Sequence, residues 1–346
     1  MIKLALDILG DKETREKVGI ILLSIIVGVL LLLFAPVAVL MTMGEIEPPD
    51  VSGNFDQSVW MQSLDSEQQE RITQMESAGQ QITSAMESAG VREQTIKAQL
   101  LYISCFENVE VDDFNAYANL FKDSQDVATL IDSINQTYGL EIVYEDFMRS
   151  YALISHVVIN PYMFTDAKTK NSTDLVIWAR QAYENGWGYV YGTYGNVLTE
   201  ELLQDRASVF GKHVTGFEDF IRENWMHRRT ADCVGLIKGY GWYNPDSGEI
   251  EVGTNGMADV TANGMFDAAT VKGTIDTIPE VPGLAVWQDG HIGIYIGNGE
   301  VIEAMGTEQG VVKTTLPSGW THWLEIPYIS YPQQEEPTTE PTEEGA

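Results

Sequence analysis

Cysteine is scarce in this chain of 346 residues, which holds only Cys105 and Cys233. Two cysteines so far apart argue against the disulfide framework of a small secreted protein. No Cys-x-x-Cys or His-x-x-x-His pair occurs, whereas a structural zinc site needs about four closely grouped ligands. The sequence therefore predicts no metal and no other cofactor. Cys105 lies in an apolar run and is predicted to be a core residue.

Basic residues are scarce as well. Lysine and arginine number 20 against 51 aspartates and glutamates, so the net charge is −31. A charge of this sign repels nucleic acid and anionic lipid, and the sequence predicts neither of them as a ligand. The charge suits a protein body held outside a cell in a cation-rich medium.

One long apolar run is present, from Val18 to Met43. About 20 apolar residues suffice to span the hydrocarbon of a bilayer, so we predict a transmembrane helix over 18–43. Four Lys and Arg residues precede it, which places residues 1–17 in the cytoplasm and the rest on the outer, wall side of the cell membrane. A cleaved signal peptide is the alternative. The length of the run favours a retained, single-pass anchor.

Composition divides the remaining chain into four parts, and a predicted linker over 160–172 joins the second and third of them. Residues 44–95 are polar and are predicted to form a stalk or linker with a partly exposed helix. From 96 to 160, apolar residues recur at helical spacing and predict a small all-α domain, to which no motif assigns a role. Residues 173–330 form the last globular domain. The acidic tail 331–346 is predicted to be disordered.

The domain at 173–330 has a helical half followed by a strand-rich half. Thr173 is predicted to cap its first helix. Apolar runs bounded by turn residues then predict three strands, at Leu284–Trp287, His291–Ile296 and Glu300–Ala304. This order predicts an α+β fold in which helices pack on an antiparallel sheet.

Cys233 lies at the start of a predicted helix, after Thr230-Ala231-Asp232. Thr230 is the predicted N-cap, which puts the thiol in the first turn. There, unpaired N–H groups and the helix dipole favour the thiolate, which is the nucleophilic form. Asp232 opposes ionisation, so a general base must supply most of the activation. The alternative is a small buried hydrophobic residue in an ordinary helix.

Of the five histidines, His291 is the best candidate for that base. The isoleucines at 292, 294 and 296 alternate, and Ile302 with Ala304 should share their face, because a one-residue slip would reverse it. A three-residue loop over 297–299 keeps these residues together and pairs Glu303 with Gly293.

His291 is then a diagonal neighbour of Glu303, at about 7–8 Å and within side-chain reach, on the face away from the isoleucines. A thiol, an imidazole base and a polar group that orients the imidazole make up the machinery of a cysteine hydrolase. The alternative is that both side chains belong to a solvated face.

Three blocks of this sequence resemble the NlpC family of papain-like cell-wall cysteine peptidases. They are 179–192 (ending Gly-Tyr-Val-Tyr-Gly), Asp-Cys-Val-Gly-Leu at 232–236, and 282–304 with His-Ile-Gly-Ile-Tyr-Ile at its centre. The resemblance covers residues 173–330 and implies an NlpC-type papain-like domain. It also implies hydrolysis of amide bonds in peptidoglycan stem peptides, commonly the bond after the γ-linked D-glutamate.

The resemblance also implies a role for each site residue. Cys233 would be the nucleophile, His291 the base and then the acid, and Glu303 the residue that orients the imidazole. Tyr189 would line the site, and Asp232 would help to bind the polar end of the substrate. Two positions depart from the family pattern. Val234 replaces the usual Ser, which leaves recognition of a free amine open, and Glu303 replaces the frequent His.

The sequence thus predicts a membrane-anchored peptidoglycan endopeptidase. Its architecture is similar to wall peptidases of mobile elements in Gram-positive bacteria, which implies a conjugation or secretion complex as a partner. One alternative is an N-acetylmuramoyl-L-alanine amidase or acyl transferase on the same scaffold. Another is a non-catalytic, wall-binding assembly subunit.

Overall fold

The computed structural model of the protein describes residues 66–332, with gaps at 106–108, 110, 146, 149–150, 152–155, 157, 246–247 and 317–318. The predicted segments 1–17 and 18–43, the start of the stalk, and the tail from residue 333 lie outside the described residues. Among the helices within the described ranges, none combines the length and the hydropathy needed to cross a bilayer.

The first unit is helical. Asp113 and Asp126 each cap a helix by accepting a main-chain N–H bond, which satisfies donors that the helix itself leaves unpaired. Gly139 ends the last of these helices with φ at 66°, a conformation that glycine adopts without a Cβ clash. The helices of this unit whose bounds lie within the described residues are α1 (Ser66–Ala89), α2 (Thr95–Cys105), α3 (Phe114–Asp123) and α4 (Val127–Tyr138).

Helix α1 contributes to the core of this unit. Ile82 and Met86, which the sequence placed on a partly exposed stalk helix, are fully buried. They share one cluster with side chains of the next three helices, among them Leu101, Tyr117, Phe121, Leu130, Ile131 and Ile134. The predicted boundary at residue 96 therefore cuts through a single hydrophobic core, and the packed unit begins upstream of it.

The segment between the two units is packed against both of them. Phe164 is buried in the core of the following domain, and Asp174 accepts main-chain N–H bonds from 165–166. From the helical unit, Arg92 donates to the carbonyl oxygens of Tyr162 and Phe164. The segment is thus tied to both neighbours by hydrogen bonds.

The second unit begins with helices and a short ribbon. Its first helix, α5 (Ser172–Glu184), is capped by Asn171 and not by Thr173 as predicted, because the Asn171 side chain accepts the N–H of Asp174. The elements that follow are β1 (Tyr194–Val197), α6 (Glu200–Phe210), α7 (Lys212–Thr215), α8 (Glu218–Asn224), β2 (Arg229–Ala231) and α9 (Cys233–Trp242). Strands β1 and β2 pair antiparallel.

The strand-rich half forms an antiparallel sheet. Its elements are β3 (Tyr243–Asn244), β4 (Glu249–Ile250), α10 (Ala262–Ala268), β5 (Lys272–Thr274), β6 (Ala285–Gln288), β7 (His291–Gly297), β8 (Glu300–Gly306), β9 (Gly310–Thr315) and β10 (His322–Leu324). Within the described residues the main sheet has the order β5-β10-β6-β7-β8-β9. Helices and sheet together give the predicted α+β class, and the three predicted strands are β6, β7 and β8.

The main sheet buries apolar side chains on both faces. The isoleucines at 292, 294, 296 and 302 lie in the larger core, together with side chains of α5 and α9. The opposite face carries a smaller cluster with Val286, Tyr295, Val301 and Trp320. The alternation along β7 therefore assigns each side chain to one of two differently packed faces.

The two ends of this domain meet. The N–H of Ser172 donates to the carbonyl oxygen of Ser330 at 2.9 Å. Tyr331, which the sequence assigned to the disordered tail, packs against the domain. Its hydroxyl donates to the Gly283 carbonyl and accepts the Ile326 N–H, both at 2.9 Å. The packed domain thus extends one residue beyond the predicted boundary at 330.

Two glycines let helix α9 touch the backbone that precedes it. A Cβ at Gly235 would lie 1.9 Å from the Thr193 carbonyl oxygen, and one at Gly239 would lie 2.0 Å from that of Tyr194. Real Cβ atoms do not approach so closely, so these positions require glycine for packing.

We expect Gly239→Ala to lower the free energy of unfolding by about 3 kcal/mol or more, because the helix must move away from Tyr194. Gly264→Ala is the matched control in α10, since its Cβ would meet a movable Val260 side chain at 3.2 Å. Denaturant unfolding of both variants tests this. Equal, small effects would contradict the close approach.

Candidate active site

Helix α9 begins at Cys233, and its N-cap is Asp232. The sequence had assigned the cap to Thr230, which instead lies in strand β2. One carboxylate oxygen of Asp232 accepts the N–H of Gly235 at 2.6 Å. The N-cap is therefore the residue directly before the cysteine, and the thiol belongs to the first residue of the helix.

The second carboxylate oxygen of Asp232 accepts the N–H of Gly192 at 2.8 Å. The side chain is buried, and burial raises its pKa, while the N–H bonds from Gly235 and Gly192 lower it. Both oxygens thus have partners within the protein. This geometry makes Asp232 a brace between helix α9 and the aromatic turn at 186–192, a role distinct from the predicted contact with substrate.

The Cys233 thiol is only partly buried and lies beside strand β7. Burial is the main cause that raises its pKa to about 12, and the charge of Asp232 adds to it. The main-chain N–H groups of Val234, Ile292 and Cys233 itself lower the pKa. The resting thiol is therefore protonated at neutral pH, although N–H donors surround the sulfur as expected at a helix start.

The hairpin of β7 and β8 has the register derived from the sequence. Ile294 pairs with Ile302 and Tyr295 with Val301, and the register shifts by one residue before Gly297 pairs with Glu300. The turn itself is Asn298-Gly299, with φ of 55° and 73°, as in a type I′ turn. The bulge beside Gly297 supplies the extra residue that the prediction had placed in the loop.

His291 contacts Glu303 across this hairpin, as predicted. Nε2 of the imidazole lies 2.6 Å from Oε2 of Glu303, and Glu303 is only 5% exposed. The other oxygen, Oε1, accepts the hydroxyl of Thr314 at 2.7 Å. An ionised carboxylate at this distance fixes the proton on Nε2 and leaves Nδ1 as the acceptor nitrogen.

Trp320 covers the imidazole. The two rings stack with centroids 5.3 Å apart and planes 12° from parallel. Both side chains line an open depression of about 270 Å³, with Gln288, Glu303, Met305 and Thr314. The indole restricts the rotation of His291, so the ring has a defined orientation.

Thr314 and Trp320 were missed from the sequence. Thr314 lies on β9 and pairs with Val301 of β8, so Thr314 is a diagonal neighbour of Glu303. The register rule that identified His291 would also have identified Thr314 if β9 had been predicted. Trp320 lies between β9 and β10, where no periodic pattern predicts its position.

The thiol and the imidazole both lie near the first residues of β7. The main-chain N–H of Ile292, the residue after His291, lowers the pKa of the thiol, whereas the His291 ring lies on the sheet face that carries Trp320. Among the described residues no hydrogen bond joins sulfur and imidazole directly. The structure therefore brings the predicted nucleophile and base to the same end of one strand.

Tyr189 lies near the thiol. Burial raises the pKa of its phenol, and the charges of Cys233, Asp232 and Tyr191 raise it further. Its ring packs against the main core beside Cys233. Tyr189 thus lies beside the candidate site. Among the described residues no group of His, Cys, Asp and Glu side chains has the arrangement of a metal site.

No family model matches the chain. The chain is similar to an endochitinase, WIN8, of Populus trichocarpa, with 31% identity over 126 residues. This match covers 34% of the chain and 38% of the endochitinase. The chain thus spans less than half of the curated relative that it matches.

We predict that alkylation of Cys233 by iodoacetamide accelerates about tenfold per pH unit from pH 7 to 10 without levelling, because the reactive thiolate stays a minor species below its pKa. Peptide mass spectrometry separates Cys233 from Cys105. A rate that levels near pH 7 would show a thiolate preformed beside the imidazole.

Proposed function

We propose that the chain is a cysteine peptidase of the NlpC type that cleaves amide bonds in peptidoglycan stem peptides. The observation that carries the proposal is the His291–Glu303 contact at 2.6 Å. His291 begins strand β7, and the N–H of the next residue, Ile292, lowers the pKa of the Cys233 thiol. A nucleophile at a helix start, a base and an orienting carboxylate are the three parts that thiol hydrolysis requires.

The proposed chemistry uses His291 as the base for the Cys233 thiol. Nδ1 of His291 takes the thiol proton as the sulfur attacks the amide carbonyl, and it then delivers this proton to the departing amine. Glu303 holds Nε2–H and stabilises the imidazolium that forms between these steps. Water then hydrolyses the thioester with the same imidazole as base, so that the free thiol returns.

The high pKa of the resting thiol makes this proton transfer part of the chemical step. A thiol with a pKa of about 12 presents almost no thiolate at pH 7. Its proton must therefore move to His291 as the sulfur attacks, with the substrate in place. The N–H groups around the sulfur can stabilise the negative charge while it forms.

The similarity to an endochitinase supports a hydrolase, and it gives no support to thiol chemistry. Glycoside hydrolysis commonly needs two carboxyl groups about 5–9.5 Å apart, one of them free to donate a proton. At this site Glu303 is engaged by His291 and Thr314, and Asp232 by two main-chain N–H groups. The site geometry therefore favours the cysteine.

We place the substrate on the outer side of the membrane, since the apolar run 18–43 and its positive flank predict an anchor. The peptidoglycan stem peptide is the substrate that the sequence resemblance implies, at the bond after γ-D-glutamate. An amidase on the same scaffold would instead free the amino group of L-alanine. Mass analysis of the products separates the two.

Cys233→Ala should abolish the release of stem-peptide fragments from purified wall, a loss of at least about 10³-fold, since the nucleophile is removed. Cys105→Ala is the matched control and should keep full activity. The products are measured by liquid chromatography and mass spectrometry.

Equal release by wild type and Cys233→Ala would rule out thiol catalysis. Glycan fragments without peptide cleavage would show a glycosidase. Release by neither protein, on any wall tested, would favour the non-catalytic assembly subunit.

Thr314→Val should lower kcat about tenfold with little change in KM, because it removes the hydrogen bond that fixes Glu303 and thereby the imidazole. Thr314→Ser keeps a hydroxyl and should restore most of the rate. If valine and serine give the same kcat, Thr314 only packs.

A further inference from the structure

An exposed pair of aromatic rings lies beside the candidate active site. Tyr191 and His213 stack with centroids 5.0 Å apart and planes 24° from parallel. Tyr191 is 37% exposed, and His213, at α7, is exposed as well. The edge of Phe210 supports Tyr191 from α6 at 5.1 Å. Catalysis, as derived above, uses none of these rings.

The backbone beneath Tyr191 is held from three sides. The N–H of Gly192 donates to Asp232, and its carbonyl oxygen accepts Nη1 of Arg206 at 3.0 Å. The Phe210 ring lies so close that a Cβ on Gly192 would be 2.1 Å from it. Tyr191 is therefore presented by a fixed turn, which limits the entropy that a ligand must remove on binding.

The aromatic pair is connected to the thiol through one hydrogen bond. Gly192 follows Tyr191 and bonds to Asp232 at 2.8 Å, and Asp232 precedes Cys233, so the distance from Tyr191 to the sulfur is at most about 15 Å. Two residues of extended chain span about 7 Å, and a γ-linkage adds to this length.

That distance fits the proposed substrate. If the bond after γ-D-glutamate lies at the sulfur, L-alanine and D-glutamate bridge to the muramic acid, whose sugar ring reaches the aromatic pair. The C–H face of a pyranose is weakly positive and apolar, and it complements the negative face of an aromatic ring. A neutral sugar also avoids the repulsion that a net charge of −31 imposes on anions.

We propose that Tyr191, with His213, forms a saccharide subsite that stacks on the N-acetylated disaccharide to which the stem peptide is attached. This inference rests on the proposed function, because the peptide at the thiol sets the position of the sugar. The protein would then prefer stem peptides still attached to glycan over free peptides.

The test is binding to full-length Cys233→Ala protein, which cannot turn over the probes by the proposed route. The probes are the free tetrapeptide and the same peptide carrying N-acetylglucosaminyl-N-acetylmuramic acid, titrated by calorimetry. We expect the disaccharide to tighten binding about fivefold. Adding Tyr191→Ala should remove this difference, while Tyr191→Phe keeps it.

Tyr183→Ala is the matched control. It removes a tyrosine of similar exposure, 41%, from α5, and should leave the fivefold difference intact. His213→Ala should reduce the difference in part. Circular dichroism and thermal unfolding of each variant verify that the fold is retained.

Two outcomes overturn the subsite: no preference for the disaccharide in the parent protein, or a preference that Tyr191→Ala leaves unchanged. Failure of the proposed function gives a different result from failure of the subsite. In that case the wild-type protein, which keeps Cys233, hydrolyses neither probe. A Tyr191-dependent preference in such a protein would establish a saccharide site without peptidase activity.

Discussion

The buried carboxylate of Asp232 holds together the parts of this site that come from different stretches of sequence. One of its oxygens completes the start of helix α9, and the other accepts the N–H of Gly192. A single side chain thereby fixes the cysteine relative to the aromatic turn that carries Tyr189 and Tyr191. The arrangement has an electrostatic cost. Burial is the main cause that opposes ionisation of the neighbouring thiol, and the negative charge of Asp232 is the second.

The imidazole is oriented by a separate chain of contacts. Thr314 holds one oxygen of Glu303, the other oxygen holds Nε2 of His291, and Trp320 covers the ring. Three neighbouring segments of the sheet thus restrain one side chain. The candidate nucleophile is positioned by a helix and the candidate base by a sheet, and the Ile292 N–H, next to His291, lowers the pKa of the thiol.

Local rules predicted the parts of this structure that depend on local geometry. Alternating isoleucines were sufficient to derive the β7–β8 register and the His291–Glu303 contact, because one buried face admits only one register. Short strands such as β5 and β10 carry three residues each, too few for a periodic signal. Their place in the sheet depends on partners distant in sequence.

Two predictions were wrong, the helix cap at Thr230 and the exposed stalk helix, and in both the structure was decided by partners distant in sequence. Thr230 and Asp232 are both good capping residues. Because β2 pairs with β1, Thr230 lies in a strand and Asp232 caps the helix. Helix α1 is polar in composition, so that the sequence predicted an exposed stalk. A few buried positions, Ile82 and Met86 among them, are enough to hold it in the helical core.

The hydrogen bond between Ser172 and Ser330 has a consequence for the architecture of the molecule. The two ends of the α+β domain therefore lie side by side. Adjacent termini are the property that allows a domain to be inserted into a loop of another protein or to be circularly permuted without loss of its core. This geometry would let the same α+β domain be combined with different preceding modules during evolution.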